Sequence, residues 1–164
     1  MDDDQPVVLD TTVLSNFAST DSIGWVVELL ERPIVVSAVR DELERGVEAG
    51  HHYLEEAIEA IGNDIELVEP EEYPPFHKAE LDVGERESMA VALAQEGVLA
   101  TDDLAAREAA GSHKLPITGS IGLLVLGIER DLIDVETADR WLTTWRAQRS
   151  YHSPIERISE AFEE

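Results

Sequence analysis

The chain predicts an α/β fold: a parallel sheet of four to five short strands with helices over both faces. Three observations carry this. Short apolar runs recur at residues 7–9, 34–36, 65–68, 98–100 and 115–118. Longer stretches with apolar residues at helical spacing separate them. The runs show little polar alternation, as strands covered on both faces of a parallel sheet require. A length of 164 residues suits one domain spanning 1–164, and no linker divides it.

Residues 7–9 run straight into Asp10, Thr11 and Thr12, a buried strand ending in an acid where a helix begins. Residues 12–20 read as a short helix. Residues 22–31 read as an amphipathic one with Ile23, Val26, Val27 and Leu30 on its buried face, capped by Asp21 or Ser22. Pro33 breaks the chain before the second strand, and Ser37 reads as the N-cap of a helix carrying Ala38, Val39, Leu43 and Val47. Residues 51–62 suggest another helix, 65–68 the third strand, and 69–78, with three prolines, a loop. An alanine-rich helix over 85–96 ends at Gly97, and the fourth strand, 98–100, ends in Thr101, Asp102 and Asp103. A helix over 104–110, the fifth strand, an apolar helix over 121–128 and an amphipathic one over 137–149 follow. A turn at 151–154 precedes a last helix, 155–162. Trp25, Trp141 and Trp145 fall at core spacing and read as packing rather than base-stacking platforms.

Composition narrows the function. There are no cysteines, so neither disulfides nor thiolate metal sites arise. The acidic start MDDD is unlike a secretory signal, and no apolar run approaches the ~18 residues of a membrane span, so a cytoplasmic protein without membrane contact is expected. The formal net charge is −24, with Lys78 and Lys114 the only lysines. Such acidity, spread along the chain, points to a halophile, where salt screens self-repulsion. It disfavours long-range attraction to nucleic acid. It also makes any single acid weak evidence, so only acids placed by pattern carry weight.

Several acids are so placed. In an open α/β sheet, ligands bind outside the carboxyl ends of the strands. Asp10 follows strand one; Glu42 lies about one and a half turns into the helix after strand two. Glu85 and Glu87 open the helix before strand four, and Asp102 and Asp103 follow that strand. Each has a plain alternative: Asp10, Asp102 and Asp103 as helix caps, Glu85 and Glu87 as first-turn acids, Glu42 as solvated surface. Taken together, a ring of carboxylates offers oxygen ligands to a hard divalent cation, which polarises a phosphodiester and acidifies an attacking water.

These stretches resemble the PIN-domain nucleases. The resemblance rests on VVLDTTVLSNFA (7–18), SAVRDELERG (37–46), LDVGERESMAVALA (81–94) and LATDDLAAREA (99–109). It extends through LPITGSIGLLVLGIERDLI (115–133) and SYHSPIERISEAF (150–162), and is weakest over 51–78. The chain is similar to an uncharacterised prokaryotic PIN subfamily related to VapC-type toxin ribonucleases. The resemblance implies a three-layer α/β/α sandwich. It implies an endoribonuclease using Mg²⁺ or Mn²⁺ on an RNA substrate, an antitoxin protein as partner, and a homodimer. Carried over by position, the family acids match Asp10, Glu42, Glu87 and Asp103, with Asp102 as a second metal ligand beside Asp103. Glu85 competes with Glu87, and Asp41 and Glu44 flank Glu42. Thr12 matches the family's small hydroxyl residue.

Two other classes stand beside this one. A non-catalytic nucleic-acid- or protein-binding module on the same fold accords with the missing basic patch, but not with an intact set of acids. A phosphohydrolase using Asp10 as nucleophile resembles the haloacid-dehalogenase start, yet Thr12 stands where that family places a second Asp. The five histidines lack metal-ligand spacing. Gly119-Ser120-Ile121-Gly122 reads as a tightly packed helix start rather than a phosphate site, and Arg107 as the partner of an acid rather than of a phosphate.

Overall fold

The computed structural model describes residues 4–70, 81–148 and 153–162. Five strands, β1 (Val7–Leu9), β2 (Pro33–Val36), β3 (Glu66–Val68), β4 (Val98–Ala100) and β5 (Ile117–Thr118), form one sheet in the order β3-β2-β1-β4-β5. Every pairing is parallel. Helices α1 (Thr11–Ser19) and α2 (Ile23–Leu29) link β1 to β2, and α3 (Ser37–Glu48) and α4 (Glu55–Ala60) lie between β2 and β3. Helix α5 (Val83–Ala94) feeds β4, α6 (Leu104–Ser112) joins β4 to β5, and α7 (Ser120–Glu129) and α8 (Val135–Gln148) follow. The result is an α/β/α sandwich, as expected.

Burial explains the strand composition. All residues of β1, β2 and β4 are buried, so their apolar runs have no solvent face to alternate with. One core layer is aromatic: Phe17 lies 4.9 Å from Trp145 and 5.7 Å from Trp25, ring centre to ring centre, and Trp141 packs edge-on to Trp25. The tryptophans are packing residues.

The local differences from expectation have physical causes. Ser37 is the first residue of α3, not its cap, and Val36 before it makes no capping bond. The acceptor comes from another helix: Ala38 donates its N–H to Glu87 Oε2 at 3.2 Å, filling a gap every helix start has. The alanine-rich helix starts earlier than expected, capped by Asp82, whose Oδ1 accepts from Glu85 N. Its end is turned by Glu96 at φ 53, leaving Gly97 free for another reason: a Cβ there would sit 2.6 Å from Pro6 O. Residues 51–62 begin with a 3₁₀ turn (His52–Leu54), and the tail forms only a 3₁₀ segment, Ile158–Phe162. The expected loop 69–78, from residue 71 onward, and the start of the turn at 151–154 fall outside the described residues.

The sheet order fixes where the ends meet. β1 lies between β2 and β4, so successive connections leave it in opposite directions, and a crevice opens at that switch point. Leu9 pairs with Ala100, which puts Asp10 and Thr101 side by side just beyond the two strand ends.

Candidate functional site

Asp10 stands at the centre of this crevice. Its Oδ1 accepts from Thr11 N at 2.8 Å and its Oδ2 from Thr101 Oγ1 at 2.7 Å. It therefore caps α1 and also reaches across to β4. Only 3 % of Asp10 is exposed. Burial pushes its carboxyl up to about 6, against the pull of those two hydrogen bonds, and Asp82 and Glu42 add repulsion. Thr101 in turn accepts from Asp103 N at 3.1 Å, so one hydroxyl ties the acid of β1 to the acid after β4.

Glu85 faces the same crevice from the first turn of α5. It is 9 % exposed, and its Oε2 is buried with no hydrogen-bond partner among the described residues. Burial pushes its carboxyl up to about 8, and the nearby charges of Asp82, Asp103 and Asp10 push the same way. Glu87, two residues on, accepts from Ala38 N at the start of α3. Glu85 repels Asp10 directly, and the resemblance matches the third acid to Glu87 with Glu85 as its competitor. Both are buried, so α5 has no exposed polar face here by which a periodicity argument separates them.

Glu42 reaches the rim from α3, with Oε2 accepting from Thr11 Oγ1 at 2.8 Å. A Cβ at Gly84 would lie 3.5 Å from the same oxygen, so α3 and α5 approach closely at this point. Glu42, Asp82 and Arg45 line a cleft of about 340 Å³ on that side. Asp41, its neighbour, forms a surface pair with Arg40.

Asp102 and Asp103 diverge. Asp103 caps α6, with Oδ1 accepting from Ala106 N at 2.9 Å. Asp102 turns to the start of α7, accepting from Ser120 N at 2.9 Å, from Ser120 Oγ at 2.5 Å and from Asn16 Nδ2 at 3.2 Å. The N-terminus of α7 is thus filled by the protein's own carboxylate, which favours that end electrostatically. Thr12 Oγ1 accepts from Asp102 N at 3.0 Å and so sets the β4–α6 turn. Arg107, expected to pair with an acid, makes no ion pair among the described residues; it donates from Nη1 to Thr101 O at 3.0 Å.

Two contributors escaped the sequence reading. Asp82 lies beside both Asp10 and Glu85, and a signal for it existed: an acid three positions before Glu85, at a helix start. Asn16, one turn after Thr12 on α1, is 3 % exposed and bridges Asp102 and Ser120.

The donor set fits a hard cation by chemistry: carboxyl oxygens throughout, two of the acids buried, one oxygen orphaned. It is not a preformed cage, since among the described residues no three acids or histidines are grouped closely enough to enclose an ion.

A family model described as a PIN domain matches residues 6–164. No curated protein matches the chain. The chain belongs to the PIN-domain family, whose members are typically nucleases and generally use divalent metal ions. Among the described residues no helix is long and apolar enough to cross a membrane.

Proposed function

From that membership and this geometry, we propose that the protein, acting as one domain over 1–164, is a divalent-metal-dependent endoribonuclease. The observation that carries the reading is the convergence of Asp10 and Glu85, two buried acids held above their ordinary proton affinity, with Asp82 and Asp103 at the switch point. Burying unpaired carboxylates costs several kcal/mol unless a counter-charge arrives. A bound Mg²⁺ or Mn²⁺ supplies that charge and, with it, a polarised phosphodiester and a more acidic water. Asp10, Glu85 and Asp103 would hold it, with Glu42 and Asp82 as further ligands or acceptors for its waters. Thr101 orients Asp10 and Asp103 together, and Thr11 holds Glu42 at the rim. Asp102 serves the fold rather than the ion, and Glu87 the start of α3.

A toxin role with an antitoxin partner and a homodimer stay with the resemblance that suggested them, and a cytoplasmic location and a halophilic source with the composition that suggested those. The test is calorimetric titration of Mn²⁺ into wild type, Asp10→Asn and Glu85→Gln at high salt, paired with cleavage of single-stranded RNA. Saturable binding and cleavage lost in both variants is the expected result. Cleavage by Asp10→Asn at the wild-type rate would sink the assignment.

A further inference from the structure

A second feature lies on the opposite side of the rim from Glu42. A cavity of about 610 Å³ opens beside Asp102, walled by Leu104, Ile117, Ile121 and Pro154 and edged by Arg107 and Ser153. Three observations distinguish it from ordinary surface relief.

First, Arg107 makes no ion pair among the described residues, although Asp103 and Asp102 stand four and five positions before it in a chain of net charge −24. Its single hydrogen bond goes to a backbone carbonyl, Thr101 O, which fixes one end of the guanidinium and leaves its remaining N–H donors for another acceptor. Second, the nearest acid is already engaged: both carboxylate oxygens of Asp102 accept from Ser120 and Asn16 at the start of α7, which turns them away from the Arg107 guanidinium. Gly119 makes room for this, since a Cβ there would sit 2.9 Å from Arg107 Nη1 and 2.6 Å from Asp102 Oδ1. Third, Leu104 is 82 % exposed, the most exposed large apolar side chain among the described residues, and it directly follows Asp103. A leucine left in water at the first turn of α6 adds nothing to the core.

We propose that this pocket takes the nucleotide adjoining the phosphate that is cut, with Arg107 holding a backbone phosphate and Leu104, Ile117 and Ile121 receiving the base. The proposal rests on the ribonuclease reading above and deepens it. A planar guanidinium suits the phosphate, and an apolar wall suits any base face, so the pocket selects single-stranded RNA, whose bases are free to turn in. A paired strand cannot present a base to it. The pocket also answers how so acidic a protein meets RNA: contact is local, through the Arg107 guanidinium, rather than through a basic surface.

The test uses fluorescence anisotropy of a labelled, mixed-sequence single-stranded ribo-oligonucleotide in Mg²⁺, on the Asp10→Asn protein so that the probe stays whole. Arg107→Gln, Leu104→Ser and, on the opposite cleft, Arg45→Gln are each added to that background. Arg107→Gln is expected to weaken binding about tenfold and to lower the slope of log affinity against log salt by about one. Leu104→Ser is expected to weaken it about threefold with the slope unchanged. Arg45→Gln should stay near the parent, and the duplex form of the probe should bind no better to the parent than to Arg107→Gln. Equal losses for Arg107→Gln and Arg45→Gln, or no saturable binding at all, overturn the pocket. Should Arg107→Gln fail to fold, Leu104→Ser decides, because so exposed a residue is dispensable to folding. Cleavage by the Asp10-intact protein separates the two readings. Binding that depends on Arg107 without any cleavage removes the nuclease and keeps the pocket; cleavage with binding indifferent to Arg107 and Leu104 does the reverse.

Discussion

Asp102 and Glu85 stand on opposite flanks of one rim and are treated in opposite ways. Asp102, half-buried, has each carboxylate oxygen bonded, to Ser120 and Asn16. Glu85 is more deeply buried, has three acids for neighbours and carries an oxygen with no partner among the described residues. A carboxylate that stabilises a fold is supplied with donors, because the net gain of burial depends on them. One left without donors costs stability, and that cost makes sense where a cation is to bind. On the proposal above, the difference separates an acid that serves the fold from one that serves an ion.

Asp10 belongs to both flanks, and its removal is expected to have the largest effect. Asp10→Asn keeps an acceptor for Thr11 N but loses the charge, so cleavage of single-stranded RNA is expected to fall about a thousandfold while the melting temperature holds or rises. A variant that unfolds would instead make Asp10 chiefly structural. Asp102→Ala is expected to do the opposite. It strands the Ser120 N–H and removes the acceptor of the Ser120 hydroxyl and one partner of the Asn16 amide, costing about 2–3 kcal/mol in denaturant titration, and Mn²⁺ affinity measured on the folded fraction should change little.

Glu85 sharpens the contrast through pH. Its carboxyl rises from 4.5 to about 8 on folding, and that of Asp10 from 3.8 to about 6. Between these limits the folded protein keeps protons that the unfolded chain has released. Without added metal, stability from these groups is therefore fully present below about 4 and is lost as pH rises through 6 and then 8. Glu85→Gln should flatten the upper part of that decline and stabilise the metal-free protein by about 1–2 kcal/mol at alkaline pH, after allowance for solvent screening. Thermal melts from acid to alkaline pH check this, and a Glu85→Gln profile parallel to wild type would contradict it. Ion affinity should rise over the same range in wild type, because the ion competes with those protons. The smallest effect is expected at Thr11→Val, which removes only the hydroxyl bonded to Glu42 and should cost about 0.5–1 kcal/mol with a modest loss of Mn²⁺ affinity.

Much of this was legible in the chain as written. Residues 98–100 read as a strand and are one, because three apolar residues between a glycine and a Thr-Asp-Asp run leave little else to form. Asp10 at the end of the first strand follows from the same pattern. The two flanks differ in legibility. Thr-Asp-Asp marks the β4 side, but the direction in which Asp102 turns depends on Ser120, eighteen residues away, whose N–H it accepts. On the other side the resemblance favours Glu87 over its competitor Glu85, and Glu87 accepts from Ala38, forty-nine residues distant.

The sequence by itself determined the class of fold, the order of its elements and the end of the sheet at which acids gather. These depend on local hydrophobic period and on which residue types close strands and open helices, and both are written in consecutive positions. Only the tertiary structure decided which acids are satisfied and which are left wanting a charge. That property belongs to pairs: Thr101 with Asp10 across ninety-one positions, Ser120 with Asp102, Ala38 with Glu87. A helix such as α5, buried on nearly every side, carries no polar stripe to show which way each carboxylate turns. Its rotation is set by packing against α3 and the sheet, so the direction of Glu85 and Glu87 exists only once those partners are in place.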